Sequence, residues 1–170
     1  MIRTLSLSAL AAMGLMLAGC GPSGGGAASN TAATSPPPAP APVLTDAQKK
    51  ALVAELPAAY QAADLSNGEA KFALCRSCHT TSQGGDDMTG PNLWGIFGRK
   101  AGSKASFTYS DDLKNAGWTW DADRINQWIA NPRAVLAGTK MTFVGIPDAN
   151  DRRDVVAFLK VQTSPAPKGP

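Results

Sequence analysis

The reactive side chains of this 170-residue chain are concentrated in one short stretch. Residues 75–79 read Cys-Arg-Ser-Cys-His and hold two of the three cysteines and the only histidine. The spacing C-x-x-C-H is the attachment signature of c-type haem. In that chemistry the two thiols add across the porphyrin vinyl groups, and the adjacent imidazole becomes an axial iron ligand. The stretch therefore predicts one haem c, covalently bound through Cys75 and Cys78 with His79 on the iron, in a protein that moves electrons.

Three other interpretations of the same stretch are disfavoured. A thioredoxin-like dithiol needs a βαβ setting, whereas residues 67–74 form a helical run with no strand before it. Structural zinc takes four ligands, usually Cys or His, and only three remain once Cys20 is assigned to another role. A disulfide between Cys75 and Cys78 would be strained for so short a loop, and it would leave His79 unexplained.

A six-coordinate iron needs a second strong ligand, and the chain offers few. There is no second histidine, and three of the five methionines fall in the first twenty residues. Met88 follows closely after His79, in a loop on the same side of the haem. Met141 lies far along the chain, in a loop after Pro132 that can reach the opposite haem face. Methionine is otherwise usually core filler, but a bound haem favours Met141 as the second axial ligand.

The first twenty residues have the pattern of an export signal. Arg3 supplies the positive end, and residues 5–17 form an apolar run of thirteen. A membrane-spanning helix needs about 20 residues, so the run fits the core of a signal peptide. Residues 17–20 read Leu-Ala-Gly-Cys and resemble the bacterial lipobox. That resemblance implies a lipoprotein signal peptide over residues 1–19 and lipidation of Cys20; the alternative is an ordinary exported protein with a stray cysteine.

The rest of the chain divides by composition. Residues 20–44 are rich in Gly, Pro and Ala and predict a flexible tether, with an r.m.s. reach of roughly 25–30 Å. Residues 45–63 form a short helical extension, residues 64–162 the compact domain, and residues 163–170 a disordered tail. Without Arg3 the chain has 15 basic and 13 acidic residues, one basic fewer than the full 16. This balance argues against nucleic acid as a partner.

The compact domain is expected to be all-α. Four helices are predicted, over residues 47–55, from Ser66–Asn67 into the haem motif, from the cap Asp121 to residue 131, and over residues 148–161. In the third, Ile125, Trp128 and Ile129 form one apolar stripe at i, i+3 and i+4. No stretch alternates convincingly as a strand.

Further motifs make the chain resemble class I cytochrome c, in the mitochondrial-type branch found in bacteria. The match covers residues 68–160. Its motifs are Gly68 and Phe72, residues 90–95 (GPNLWG), 97–99 (FGR) and 107–111 (FTYSD), Trp120, Asn131-Pro132, residues 138–141 (GTKM) and 153–160 (RDVVAFLK). The resemblance implies the class I fold, a small helical domain wrapped around one covalently bound haem.

The resemblance also implies packing and hydrogen-bonding roles. Gly68 should allow the first and last core helices to cross closely, where Phe72 meets Phe158. The carbonyl of Pro91 should accept the Nδ1–H of His79, which fixes the ring and raises its donor strength.

Four more residues are implied to contact the cofactor: Arg99, Tyr109, Trp120 and Thr139, the first three at the haem propionates. Without the resemblance, Trp120 would be assigned to the core, Arg99 to the solvated surface and Tyr109 to packing.

The chain departs from the family in two places. Trp128 stands where the family commonly has a tyrosine near the methionine sulfur, and an indole can donate a hydrogen bond but cannot accept one. Few of the lysines that form a ring in mitochondrial relatives are present in this chain. Arg76, Lys104, Arg133 and Lys140 remain, so we expect a weakly electropositive docking patch.

Together these features predict a membrane-tethered electron carrier rather than an enzyme, on the periplasmic side of a bacterial membrane. The inner membrane is favoured and the outer is possible. Met/His ligation gives the haem a relatively high reduction potential. The partners implied are therefore a quinol-oxidising complex and a terminal oxidase. No small-molecule substrate is expected. The alternatives are a dedicated electron-transfer subunit of a larger oxidase or dehydrogenase, and a ligand-binding or peroxidase-like haem protein.

Overall fold

The computed structural model describes residues 43–167. Seven helices occur in this range: α1 (Asp46–Ala54), α2 (Ala58–Gln61), α3 (Leu65–Phe72), α4 (Asp111–Lys114), α5 (Ala122–Ala130), α6 (Pro132–Val135) and α7 (Ala149–Thr163). No strand forms among the described residues, where Lys100 and Thr119 make a single isolated antiparallel bridge. The all-α prediction is therefore confirmed. Between residues 43 and 167, no helix is long and apolar enough to cross a membrane.

Several predicted features lie outside the described residues. They are the signal peptide at residues 1–19, the lipidation site Cys20, most of the tether at 20–44, and the last three residues of the tail.

Side-chain caps set where the main helices begin. Thr45 opens α1 with a reciprocal capping box to Gln48, and Asp121 accepts the N–H of Arg124 at 2.7 Å at the start of α5. The α3 helix begins earlier than the sequence predicted. Its cap is Asp64, whose carboxylate accepts hydrogen bonds from the backbone N–H groups of Ser66 and Asn67. Caps of this kind satisfy backbone donors that lack a partner inside the helix.

Helices α3 and α7 cross at close range. A Cβ built on Gly68 would clash with the carbonyl of Asp154 and would lie 2.8 Å from Cβ of Phe158. The rings of Phe72 and Phe158 pack beside this point with their centroids 5.5 Å apart. The predicted glycine crossing is therefore confirmed.

A buried carboxylate ties the start of α3 to α7. Asp154 is only 3% exposed and accepts hydrogen bonds from the backbone N–H of Asp64 at 3.1 Å and from Nδ2 of Asn67 at 2.8 Å. The guanidinium of Arg153 forms an ion pair with the same carboxylate, with its Nη2 2.7 Å from Oδ1 of Asp154. A buried charge is tolerated when it is paired and hydrogen-bonded in this way.

Residues 45–63 belong to the same hydrophobic core as the predicted domain. Leu52 and Tyr60 are buried in the cluster that also contains residues of α5 and α7. The hydroxyl of Tyr60 donates to Asp123 of α5 at 2.7 Å, and burial together with this bond raises the pKa of Tyr60 to about 12. Lys160 of α7 pairs with Glu55 at 2.7 Å. The extension is thus packed onto the domain.

The C-terminal helix is longer than predicted. The sequence ended it at residue 161 and placed Thr163 in the tail, whereas α7 includes Thr163, which is fully buried. Its hydroxyl donates to the carbonyl of Leu159 at 2.8 Å, and its own carbonyl accepts the N–H of Gly95 at 2.7 Å. These two contacts extend the helix and correct the domain boundary.

Candidate haem site

The two cysteines of the C-x-x-C-H motif lie in a tight turn that continues from α3. The N–H of Cys75 donates to the carbonyl of Phe72 at 2.8 Å, and the N–H groups of Cys78 and His79 both donate to the carbonyl of Cys75 at 3.0 Å. Cys75 and Cys78 are half-buried free thiols. The turn therefore holds both thiols and the imidazole in one rigid unit.

The environment of Cys75 argues against the alternative thiol chemistries. Burial, followed by the neighbouring Cys78, raises the pKa of the Cys75 thiol to about 11. Because the thiolate is the form that exchanges disulfides, the raised pKa disfavours a redox dithiol. Among residues 43–167, no group of three or more His, Cys, Asp or Glu side chains is placed to hold a metal ion.

His79 is oriented by its neighbours. Its Nδ1 lies 2.7 Å from the carbonyl oxygen of Pro91. Since a carbonyl can only accept, Nδ1 carries the proton and Nε2 keeps a free lone pair. Burial lowers the pKa of His79, partly offset by the Pro91 bond, which favours the neutral imidazole that binds iron. A Cβ on Gly90 would lie 2.7 Å from Nε2 of this ring. Any residue other than glycine at this position would therefore displace the imidazole.

Met141 is held by two hydrogen bonds. The indole Nε1–H of Trp128 donates to its sulfur at 3.0 Å, and its own N–H donates to the hydroxyl of Thr139 at 3.1 Å. Thr139 is buried. The sequence allowed Trp128 only a donor role towards this sulfur, and the structure gives the indole that role.

The loop that carries Met141 is fastened to the end of α5. The N–H of Ile146 donates to the carbonyl of Ile129 at 2.8 Å. Gly145 adopts a φ of +101°, and a Cβ there would clash with the carbonyl oxygen of Ala130. The positive φ and the close approach both require glycine, so the path of the loop is fixed just after the methionine.

The three residues implied to bind the propionates, Arg99, Tyr109 and Trp120, lie together. The backbone N–H of Trp120 donates to the carbonyl of Arg99 at 2.9 Å. The Arg99 guanidinium donates to the carbonyls of Asn92 and Trp94, both at 3.2 Å. Burial lowers the pKa of Arg99, and burial raises the pKa of Tyr109 while the nearby Arg99 opposes that rise. A half-buried cation beside a buried phenol can stabilise a carboxylate.

Sequence reasoning missed the network behind His79. Asn92 is 4% exposed, and its Nδ2 donates to the hydroxyl of Thr80 at 2.7 Å. Its backbone N–H donates to Asp87 at 2.7 Å. Asp87 in turn pairs with Lys104 at 2.7 Å, although Lys104 was assigned to the docking patch. Asn92 stands in the motif at 90–95, but nothing in its spacing names these partners.

Aromatic packing connects the two halves of the site. The rings of Trp120 and Trp128 meet edge to face with centroids 5.4 Å apart, so the Arg99 region is continuous with the Met141 sulfur. Cys75 and Met141 both pack against the same core cluster. The donor set available is two thiols, one neutral imidazole nitrogen and one thioether, which fits a covalent haem with Met and His ligands.

Comparisons with known proteins agree with this donor set. No family model matches the chain. The cytochrome c2 of Rhodomicrobium vannielii is 44% identical over 104 residues, which are 61% of this chain and 83% of that protein. The cytochrome c of Chlamydomonas reinhardtii is 39% identical over 61% of this chain and 93% of its own. Among solved structures, cytochrome cH from Methylobacterium extorquens has a TM-score of 0.53 and 41% identity, covering 57% of this chain and 97% of its own.

These relatives are about 40% identical to this chain over some 60% of its length, well above what fold likeness alone would give. The chain therefore belongs to the class I c-type cytochromes, electron carriers with one covalently attached haem c.

Proposed function

We propose that this cytochrome is a lipid-anchored one-electron carrier on the periplasmic side of a bacterial membrane. It accepts electrons from a quinol-oxidising complex and delivers them to a terminal oxidase. Cys75 and Cys78 would attach the haem covalently, and His79 and Met141 would bind its iron. When bound, the haem supplies the Fe(III)/Fe(II) couple.

The observation that carries the proposal is that both proposed axial ligands are already held in place. His79 is fixed by the carbonyl of Pro91 at 2.7 Å, and the Met141 sulfur by the indole of Trp128 at 3.0 Å. Ligands held in this way move little when the iron changes oxidation state, which suits fast electron transfer. Donation from Trp128 also draws electron density from the sulfur, which disfavours the ferric state and supports a high potential.

The propionates have a proposed binding site in Arg99, Tyr109 and Trp120, and Thr139 is a further proposed contact of the haem. The guanidinium would supply positive charge. The hydroxyl of Thr139 accepts from Met141 and so keeps its own O–H free to donate. Charge-assisted hydrogen bonds of this kind are the strong ones, and they would screen the buried negative charge of the cofactor.

The lipid anchor rests on the Leu-Ala-Gly-Cys sequence at residues 17–20, directly after the apolar run. Several acyl chains give near-permanent attachment, at about 0.8 kcal/mol per buried CH₂. Fractionation of cells that express the full chain tests this. The wild type should sediment with membranes and the Cys20→Ser variant should be found in the soluble periplasmic fraction. Equal distribution of both would contradict the anchor.

The place in the respiratory chain is tested in the bacterium that makes the protein. A strain lacking the gene should lose quinol-driven oxygen consumption, and the wild-type gene should restore it while a Cys75→Ser/Cys78→Ser gene does not. Unchanged respiration without the gene would contradict the proposed route. Co-purification in fixed stoichiometry with one oxidase or dehydrogenase would assign the protein as a dedicated subunit instead.

A further inference from the structure

Tyr60 is a buried polar side chain that the proposed function does not use. It lies in α2, before residue 68, where the resemblance to the family begins, and it is only 3% exposed. Its hydroxyl contacts two side chains of α5. It donates to Asp123 at 2.7 Å and accepts from Nδ2 of Asn126 at 3.1 Å. The hydroxyl therefore has both a donor and an acceptor partner in the domain.

Asn126 connects this contact to α7. Its Oδ1 accepts a hydrogen bond from Nε of Arg152 at 2.7 Å. Since a guanidinium can only donate, Oδ1 must face Arg152 and the amino group of Asn126 must face Tyr60. The proton of the Tyr60 hydroxyl must then point to Asp123. These four side chains, joined by bonds of one consistent direction, are the Tyr60 network.

Arg152 carries the network to the loop that holds Met141. Its Nη1 donates to the carbonyl of Ile146 at 2.8 Å and to that of Pro147 at 2.7 Å. The N–H of Ile146 is also paired, with the carbonyl of Ile129 in α5 at 2.8 Å. Both backbone groups of Ile146 are thus bound to the domain, and the residue itself is 4% exposed.

The attachment at Ile146 bears on the sulfur because the loop has few other ties after the methionine. Residues 142–145 make no backbone–backbone hydrogen bond to any other residue between 43 and 167, although Phe143 packs against the core. Met141 is therefore positioned at its sulfur by the Trp128 bond and along the chain by the attachment at Ile146.

We propose that Tyr60 is a positioning residue for Met141: through Asn126 and Arg152, the segment at residues 45–63 holds the loop in the place that presents the thioether to the iron. The inference rests on the proposed function, in which Met141 is an axial ligand. Bonds joined in a chain of this kind strengthen one another. Loss of the Tyr60 hydroxyl should therefore raise the population of molecules in which the loop alone is open, while the domain stays folded.

Glu55 supplies a matched control. It ties the same segment to α7 through its ion pair with Lys160 at 2.7 Å. Within residues 43–167, neither side chain of this pair makes a hydrogen bond to the Tyr60 network or to the loop. Glu55→Ala and Tyr60→Phe therefore each remove a contact between the segment and the domain, but only Tyr60→Phe removes one that leads to Met141.

The test titrates the oxidised, haem-loaded full chain in non-ionic detergent with imidazole, which replaces the thioether when the loop opens. The apparent affinity is proportional to the open population, and the absorption spectrum reports the exchange. Tyr60→Phe should raise the affinity by about threefold and Asn126→Leu by about tenfold, for the loss of one and of two bonds that lead to the loop. Glu55→Ala should leave it unaltered.

A double-variant comparison shows whether Tyr60 acts through Asn126. Added to Asn126→Leu, Tyr60→Phe should change the imidazole affinity by less than about 1.5-fold, because the route to the loop is already broken. An affinity in Tyr60→Phe equal to that of the wild type, or an equal increase in Glu55→Ala, would overturn the proposal.

Hydrogen exchange at the amide of Ile146 gives a second readout that does not depend on which group binds the iron. Measured by NMR, the exchange should be faster in Tyr60→Phe and in Asn126→Leu than in the wild type, and unchanged in Glu55→Ala. Denaturant unfolding confirms that all the variants are folded under the conditions of both measurements.

Failure of this inference is distinguishable from failure of the proposed function. Met141→Ala should bind imidazole more tightly than every other variant. If it binds imidazole like the wild type, Met141 is not the ligand, and the exchange rate of Ile146 alone decides the role of Tyr60. If Met141→Ala raises the affinity and Tyr60→Phe does not, only the positioning role fails.

Discussion

At the scale of single residues, the sequence predicted the chemistry and the hydrogen bond from His79 to Pro91, but not the network around Asn92. The C-x-x-C-H motif predicted the attachment turn, and counting histidines and methionines pointed to Met141. The resemblance placed Trp128 near the methionine sulfur as a group that can donate but not accept, but it did not show that the bond forms. Only the fold shows its indole 3.0 Å from the Met141 sulfur.

The Trp128 hydrogen bond should tune the reduction potential. Trp128→Phe removes the donor, leaves the sulfur a stronger ligand for Fe(III), and should lower the potential by roughly 20–60 mV, the equivalent of one hydrogen bond of about 0.5–1.5 kcal/mol. Redox titration measures this. Trp118→Phe is the matched control, since Trp118 Nε1 has no partner among the described residues. Equal potentials for both variants would contradict the tuning role.

The ion pair behind the histidine should show in the pH dependence of stability. Burial alone would raise the pKa of Asp87, but hydrogen bonds from Lys104, the N–H of Asn92 and Ser106 outweigh it and lower the pKa to about 2. A lowered pKa contributes stability that is present above the ordinary value of 3.8 and is lost as the pH falls towards 2.

Asp87→Asn should therefore destabilise the holoprotein by about 1 kcal/mol at neutral pH, after allowance for solvent screening. The difference from wild type should shrink between about pH 4 and pH 2. Denaturant unfolding at a series of pH values measures both. A difference that stays constant down to pH 2 would show that the carboxylate charge has no such role.

At the scale of helices, capping residues and apolar periodicity predicted the main elements well. Asp121 caps α5 as the sequence indicated, and Asp148, the predicted start of the last helix, is the cap of α7. The four-residue helices α2, α4 and α6 were missed because one turn shows no periodicity. The end of α7 was missed because Thr163 is held by the distant Gly95, a contact that local sequence does not encode.

Helix α1 should contribute to the stability of the whole domain. Leu52 is 2% exposed within the common core, so Leu52→Ala should lower the free energy of unfolding by about 2–5 kcal/mol through lost burial and a new cavity. The exposed Lys50→Ala on the same helix should change it by less than about 0.5 kcal/mol. Urea unfolding of the holoprotein compares the two. Equally small effects of both substitutions would show that residues 45–63 do not contribute to the stability of the domain.

At the scale of the whole molecule, the family and its all-α fold could be predicted, because motifs spread from residue 68 to residue 160 occur in the family's order. The packing of residues 45–63 onto α7 could not, because it depends on contacts between segments about a hundred residues apart, such as Glu55 with Lys160. The docking surface was expected to be weakly basic. Lys104, one of the four residues expected there, is instead paired with Asp87.

The account depends on haem being bonded covalently to the sulfurs of Cys75 and Cys78. The intact mass of the purified protein, recorded after denaturation in acid and organic solvent, tests this most directly. The account predicts one polypeptide species that keeps the mass of a single haem under these conditions. A polypeptide that loses all haem and shows two free thiols would contradict it.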